Sequence, residues 1–326
     1  MEMQFSEQFA VQSTHLAMGT VMTHKAFGTD AEESLTAAQM EIERLEALFS
    51  RFRPGSDISR INQAAGIGRV QISEETMQVL QTAQAFTQQY ADCFDITITP
   101  LVDLWRKAAG SKQVPQQASI KAALALVNAH DLLLNPGSAT AELRRTQQCL
   151  DLGGIAKGYA ANHIREIFTA LAVQSACANL GGNVIALGCK PDGSSWKVGI
   201  QHPRREQALL GMVSVDNQCV VTSGDYQRYF IGKDGKRYHH ILNPNTGYPT
   251  ESNLLSVSII TRDAMTADAL STMVFIAGLE KGLKILANHP ECEAILVDQN
   301  CQIILTKGLH DQFIPLENTT LTIVAP

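Results

Sequence analysis

No CxxC pair occurs in this sequence, and its seven cysteines, Cys93, Cys149, Cys177, Cys189, Cys219, Cys292 and Cys301, are scattered and odd in number. That excludes a zinc ribbon and a disulfide framework and leaves reduced, mostly buried thiols. No apolar run approaches the roughly 18–20 residues that cross a bilayer, so a membrane span is excluded. The first twenty residues, MEMQFSEQFAVQSTHLAMGT, carry Glu2 and Glu7 where a secretory leader carries Lys or Arg, and they lack an apolar stretch. The expected location is therefore cytoplasmic, with export only if a leader had been removed. Positive charge is short as well: 26 Lys+Arg against 32 Asp+Glu give a net charge of −6, so no global basic field draws nucleic acid. Aromatics make up 6% of the chain, and its two tryptophans, Trp105 and Trp196, suggest no sandwich for a flat ring. Neither GxxxxGK[ST] nor GxGxxG is present, which removes the P-loop and the dinucleotide-fold fingerprint.

What is there is an ordinary globular composition, 45% hydrophobic and 18% charged over 326 residues, with room for one large or two ordinary domains. Leu35, Ala38, Ile42, Leu45, Phe49 and Phe52 recur at spacings of three and four and predict a helix from Leu35 to Phe52. Ser73 is placed to cap a second helix that runs towards Tyr90. Phe94 to Pro100 alternates like a strand closed by proline, and polar residues from Gly110 to Ser119 read as an exposed connection. Beyond Leu150, β-rich runs appear near 184–187, 196–200, 212–215, 220–222, 254–261, 294–297 and 303–306. Helical patterns at Ile155–Leu171 and Thr266–Leu279 interrupt them. Mixing without regular strand–helix alternation predicts an α+β fold of mixed sheets with packed helices.

Four stretches carry candidate chemistry. Asp151-Leu152-Gly153-Gly154-Ile155-Ala156-Lys157-Gly158 opens a helix, where unpaired N–H groups, close-approach glycines and Lys157 suit a phosphate. Taken alone, a structural glycine turn is the simpler reading. Asn179-Leu180-Gly181-Gly182-Asn183 is a second such turn, by itself read first as a tight hairpin entry or bulge, although two Gly-Gly turns in one chain add weight to an extended phosphate-bearing ligand. Asp268 and Thr272 lie four apart at another helix start, so their oxygens share a face that would hold Mg²⁺ beside a phosphate. Alternatively, Asp268 only complements the helix dipole. His239 and His240 point to opposite faces of a short strand that ends in the turn Asn243 to Pro249, and one of them is suited to act as a base.

Taken in order, Met18-Gly19-Thr20, Pro54 to Asn62, Phe94-Asp95, Asp151 to Gly158, Asn179 to Asn183, Trp196 to Ile200 with Pro203, Val221 to Tyr226, His239 to Gly247 and Met265 to Thr272 resemble the ApbE family of FAD:protein FMN transferases. The resemblance spans about residues 14–310. It implies a T-fold-related α+β architecture forming one continuous catalytic unit over 14–326, behind an N-terminal extension of 1–13. It also implies a Mg²⁺-dependent transferase that cleaves FAD, attaches FMN through a phosphoester to a Thr or Ser of a partner flavoprotein, and releases AMP.

By that resemblance Met18, Cys93, Phe94, Asp95, Asp151, Lys157 and the segment His240-Ile241-Leu242 line the FAD site, with Gly181 and Gly182 beside them. Gly154, through its carbonyl, binds Mg²⁺ with Asp268 and Thr272, and His240 is the base. The sequence departs from the family at Asn243-Pro244, where an Asp-Pro pair is usual, which puts metal affinity or rate in question. Two other classes remain open on sequence: a hydrolase that splits FAD to FMN and AMP, and a flavin-binding protein without turnover.

Overall fold

The computed structural model describes residues 10–316 and 320–325. Strands β1 (Ala10–Ala17) and β2 (Thr20–Phe27) form a hairpin closed by Met18 and Gly19. Both turn residues have positive φ, 48° and 72°, the left-handed pair that lets a two-residue turn follow strand twist. Residues 10–13 of the expected N-terminal extension thus belong to a sheet, as part of β1. Helix α1 (Ala31–Phe49) buries Leu35, Ala38, Ile42, Leu45 and Phe49 on one stripe. It stops three residues short of the predicted end: Ser50 is extended, and Phe52 is exposed beneath the guanidinium groups of Arg51 and Arg106. Cation–π contact suits an exposed ring that periodicity alone assigns to the core.

Helix α2 (Asp57–Gln63) and β3 (Val70–Gln71) lead to α3 (Glu74–Gln89), where Ser73 caps as expected, its Oγ accepting the Thr76 N–H at 3.1 Å. Phe94 to Pro100 is not a strand. Asp95 Oδ1 accepts from the Thr97 amide at 2.7 Å and hydroxyl at 2.6 Å, and Oδ2 from the Ala129 amide at 3.0 Å. These bonds fold the segment into a turn that overrides its alternation. Pro100 then sits in the first turn of α4 (Thr99–Ser111), and only 112–116 separate it from α5 (Gln117–Leu124). In a small sheet, β4 (Leu132–Asn135) pairs with one side of β5 (Thr140–Leu143), and β3 pairs with the other.

The remaining elements bear out the predicted β-rich half. They are α6 (Ala156–Ala170), β6 (Ser175–Leu180), β7 (Asn183–Leu187), β8 (Trp196–Gln201), β9 (Leu209–Val215) and β10 (Cys219–Gly224). A short hairpin of β11 (Tyr229–Ile231) and β12 (Arg237–His239) follows, and then β13 (Leu254–Thr261) and α7 (Ala264–Leu286). Strands β14 (Glu293–Asp298), β15 (Ile303–Thr306), β16 (Phe313–Pro315) and β17 (Leu321–Val324) complete the order. Helix α7 outruns the predicted Leu279 because it continues through a kink at Gly278, φ 74°, where Asn253 Oδ1 accepts the Leu279 N–H at 3.0 Å.

Nine strands form one sheet in the order β1-β2-β6-β7-β10-β13-β14-β15-β17, antiparallel except for β15–β17. Helices α1, α6 and α7 cover one face, packed on Val221, Val257 and Ile259. The three-stranded sheet β16-β9-β8 covers the other, packed on Val220, Ile260, Ile295 and Val297. The period-2 alternation of a strand between two apolar layers accounts for β13 being buried along its whole length. The α+β expectation holds, and residues from Ala17 to Ile304 share the helix-side core. Among the described residues no helix is long and apolar enough to cross a membrane.

His24, on β2, is 1% exposed and stacked on His15 with ring centroids 5.0 Å apart, and none of the four ring nitrogens has a hydrogen-bond partner among the described residues. Burial, then the neighbouring His15, pushes the His24 pKa down to about 4. Between that value and the ordinary 6.5 the unfolded chain binds more protons than the folded one, so stability is full above 6.5 and falls as pH drops towards 4. The whole shift corresponds to about 3 kcal/mol. Urea midpoints measured across this window should fall less steeply in His24→Phe than in wild type; parallel curves would assign the dependence to another group.

Candidate active site

A cavity of about 530 Å³ opens beside the ends of β6, β7 and β10, a volume that suits a cofactor-sized ligand. The loop before α6 supplies Asp151, Gly153, Gly154 and Lys157; β10 supplies Thr222 and Ser223; and α7 supplies Asp268, Thr272 and Ile276. Opposite stand the 93–96 turn, Gly181, and the segments 227–230 and 238–242. The structure therefore brings together Cys93, Phe94, Asp95, Asp151, Gly154, Lys157, Gly181, His240, Ile241, Leu242, Asp268 and Thr272. Met18 and Gly182 do not line the cavity. Met18 sits in the β1–β2 turn with its side chain against the core, and a Cβ added at Gly182 would meet Gln227 Nε2, from a lining residue, at 3.4 Å. The β1–β2 turn approaches the wall through Thr20, whose hydroxyl would lie 2.3 Å from a Cβ at Gly181.

The polar corner is organised by Asp268. Helix α6 crosses the start of α7 at Gly158, where a Cβ would stand 2.2 Å from the Ala264 carbonyl oxygen. That contact lets the Gly158 N–H donate to Asp268 Oδ2 at 3.0 Å, while Lys157 Nζ donates to Asp268 Oδ1 at 3.4 Å and to Gly153 O at 3.3 Å. The expected phosphate cradle at the α6 start is accordingly revised: the Ala156 N–H goes to the Leu152 carbonyl and the Gly158 N–H to Asp268. A buried carboxylate already complements the dipole there. Gly154 lies against Thr272, a Cβ on it falling 3.7 Å from Thr272 Oγ1, and the Ser223 hydroxyl bridges to Ser271 at 2.9 Å and Thr272 at 3.2 Å.

Two further turns are stapled by side chains. Asp151 Oδ1 accepts the Gly153 N–H at 2.7 Å, while Oδ2 pairs with Arg51 at 2.8 Å. Asn243 Oδ1 accepts the Asn245 and Thr246 amides at 2.8 and 3.2 Å. The Asn243 departure thus retains an acceptor that shapes a turn, and Asn243 does not itself line the cavity. Asp95 is likewise occupied by its turn, and burial raises its pKa against the pull of those hydrogen bonds. Burial also pushes the Cys93 thiol up.

His239 and His240 diverge as alternation requires. His239 is buried, bonded through Nε2 to the Thr250 carbonyl at 3.0 Å and accepting the Ile241 N–H on Nδ1 at 3.2 Å. His240 bonds through Nδ1 to the Arg228 carbonyl at 3.1 Å. A carbonyl only accepts, so the proton of a neutral His240 ring sits on Nδ1 and Nε2 keeps its lone pair. Protein crowding on one side, then the charge of Arg228, holds the His240 pKa below the ordinary value, with His239 and Lys157 adding to it. His240 as a whole is exposed and lines the cavity.

Sequence reasoning missed the apolar end. Trp105 on α4 stacks on Tyr238 (5.4 Å, 25°), Phe230 stacks on Tyr238 (5.3 Å, 22°), and Trp105 Nε1 donates to the Gly247 carbonyl at 2.7 Å. The available signal was Asp234-Gly235, a hairpin turn between Tyr-Phe-Ile and Arg-Tyr-His.

A sheet-and-helix scaffold encloses a cleft lined by a lysine, a buried carboxylate and a histidine, an α+β architecture with the side-chain types of an enzyme site. Residues 18–296 match the ApbE family, and the chain belongs to that family. It is 37% identical over 302 residues to the FAD:protein FMN transferase of Klebsiella pneumoniae strain 342, covering 92% of this chain and 93% of that protein. It is 32% identical to the Treponema pallidum enzyme of the same name, over 91% and 87%. The crystal structure of the ApbE protein of Thermotoga maritima superposes with a TM-score of 0.84 at 29% identity, covering 93% of this chain and 99% of that one. The apo flavinyl transferase ApbE of Pseudomonas stutzeri gives 0.80 at 30% identity, over 93% and 96%.

Gly158→Ala places a methyl against the Ala264 backbone and should lower stability by about 1–3 kcal/mol. Thermal unfolding checks this, and a wild-type midpoint would mean that the two helices separate freely.

Proposed function

We propose that this protein moves FMN from FAD to a threonine or serine hydroxyl of an acceptor flavoprotein and releases AMP, with Mg²⁺ as cofactor. The observation that carries the reading is the convergence of a histidine whose Nδ1 is taken by the Arg228 carbonyl, a lysine, and the Asp268–Thr272–Gly154 corner on one cavity. The acceptor oxygen bonds to the FMN phosphorus as the bond from that phosphorus to the AMP phosphate oxygen breaks. The hydroxyl proton passes to His240 Nε2, and AMP leaves with the electron pair. Lys157 stands where the pyrophosphate charge would lie, and Asp151 and Asp95 hold the turns against which FAD would rest. The wall of Trp105, Phe230 and Tyr238 suits a flat ring of FAD.

The donor set fits Mg²⁺. Among the described residues no group of three or more His, Cys, Asp and Glu side chains gathers at one point. An ion here would be held by the Asp268 carboxylate, the Thr272 hydroxyl and the Gly154 carbonyl, hard oxygens that leave positions for phosphate oxygens and water. The absence of a Cβ at Gly154 keeps that corner open. When bound, Mg²⁺ would supply neutralisation of the pyrophosphate charge.

The direct test incubates the protein with FAD, Mg²⁺ and a folded flavoprotein domain and reads FMN adducts by mass spectrometry; free FMN and AMP without any adduct would favour the hydrolase. His240→Ala should lower transfer by about 10²–10⁴-fold while FAD affinity is retained. Because the base works when neutral and its pKa lies below 6.5, wild-type kcat/KM should be level through neutral pH and fall only on the acid side of the ordinary imidazole range. An acid limb at or above 6.5 would remove His240 from the role. Asp268→Ala should lose activity together with Mg²⁺ binding measured by calorimetry, and unchanged Mg²⁺ affinity would move the metal elsewhere.

A further inference from the structure

Among the described residues the β11–β12 hairpin pairs with no other strand, and Tyr229 and Phe230 of β11 line the cavity. His240 donates its main-chain N–H to the Arg228 carbonyl, and Gly232 donates to that of Lys236. Those bonds set the phase of the ladder: the main-chain groups of Phe230 face β12, and those of Tyr229 and Ile231 face away from it. Among the described residues the outward groups of Tyr229 and Ile231 have no main-chain partner, and their side chains are 47% and 45% exposed. At its inner end the edge reaches the reacting side, since Arg228, Tyr229 and Phe230 line the same cavity as His240.

The edge also carries a local charge opposite to that of the chain. The whole protein is at −6, yet residues 228–239 hold Arg228, Lys233, Lys236 and Arg237 against Asp234 alone. Lys236 is paired with Glu251. Among the described residues Arg228, Lys233 and Arg237 have no carboxylate within ion-pair reach, and Arg237 lies over the Tyr229 ring at 3.8 Å. An edge defended against aggregation carries charge on the strand itself. Here β11 reads Tyr-Phe-Ile, apolar and open, with the cations at its ends and on its partner.

We propose that this edge is the docking strand for the acceptor: an extended, acidic segment of the acceptor protein adds to β11 as a further strand and carries its hydroxyl along the edge to His240. The inference rests on the FMN-transferase reading. Main-chain pairing supplies register, and the unpaired cations select a segment with carboxylates around the hydroxyl. Ile231, Lys233 and Arg237 are not among the residues that line the cavity, so changes there act on the acceptor, while Phe230 and Tyr238 stay as the wall for FAD.

The test gives wild-type protein, with FAD and Mg²⁺, a peptide library in which one central threonine is flanked by randomised residues, beside a folded flavoprotein domain. Modified peptides should be enriched about tenfold in Asp and Glu over Lys and Arg. Lys233→Glu with Arg237→Glu should abolish that preference and raise the acceptor KM, with FAD affinity unchanged. Ile231→Pro, which removes one outward N–H, should lower acceptor kcat/KM with the same sparing of FAD affinity. Adducts on the domain but none on peptides, or peptide adducts without a charge preference, overturn the proposal. So does wild-type acceptor KM in the charge variant. No adduct on any acceptor overturns the transferase reading itself, a result distinct from the others.

Discussion

The site depends on one buried carboxylate shared by two helix starts. Asp268 lies in the first turns of α7, accepts an amide from the first turn of α6 and faces the Lys157 ammonium. It reaches both because Gly158 brings the two backbones to a distance that no side chain would permit. A carboxylate removed from water requires donors on its lone pairs, and an amide at a helix start and a lysine are donors with positive character. This crossing fixes where Lys157 and Gly154 stand relative to Thr272.

Around that fixed corner the walls are loops, and loops carry chemistry only when their shape is enforced. Each is stapled by a short polar side chain: Asp95 at the 93–97 turn, Asp151 at Gly153, Asn243 at the 243–246 turn. In each case an oxygen accepts an amide two residues on, which replaces the main-chain bonds that a strand would supply. The same device explains the tolerance of asparagine at 243, since an amide oxygen accepts as a carboxylate does. Through Arg51, which pairs with both Asp151 and Asp103, the Gly153-Gly154 turn is also tied to α4, whose Trp105 closes the apolar end.

Much of the helix and strand content was legible because it follows from neighbours within a few residues. The α1 stripe, the Ser73 cap and the β-rich half needed only period and capping chemistry. The errors have the same origin. Phe52 continues the stripe in sequence but finds two guanidinium groups in space, and Phe94 to Pro100 alternates but loses its strand to the Asp95 turn. At the α6 start, local rules predicted free amides for an anion, whereas a residue 110 positions away claims one of them.

By itself the sequence determined the α+β class, the thiol state, the ApbE resemblance and the residue types available for chemistry, since composition, spacing and motif order are properties of the chain alone. Tertiary structure decided which of those residues meet. Sheet order places β10 between β7 and β13, so Ser223 reaches Thr272 while Gly181 and His240 close the opposite side. It also decided that His240 presents Nε2, because the Arg228 carbonyl takes Nδ1. Contacts between residues a hundred positions apart are set by strand neighbours and helix crossings, and no local spacing contains them.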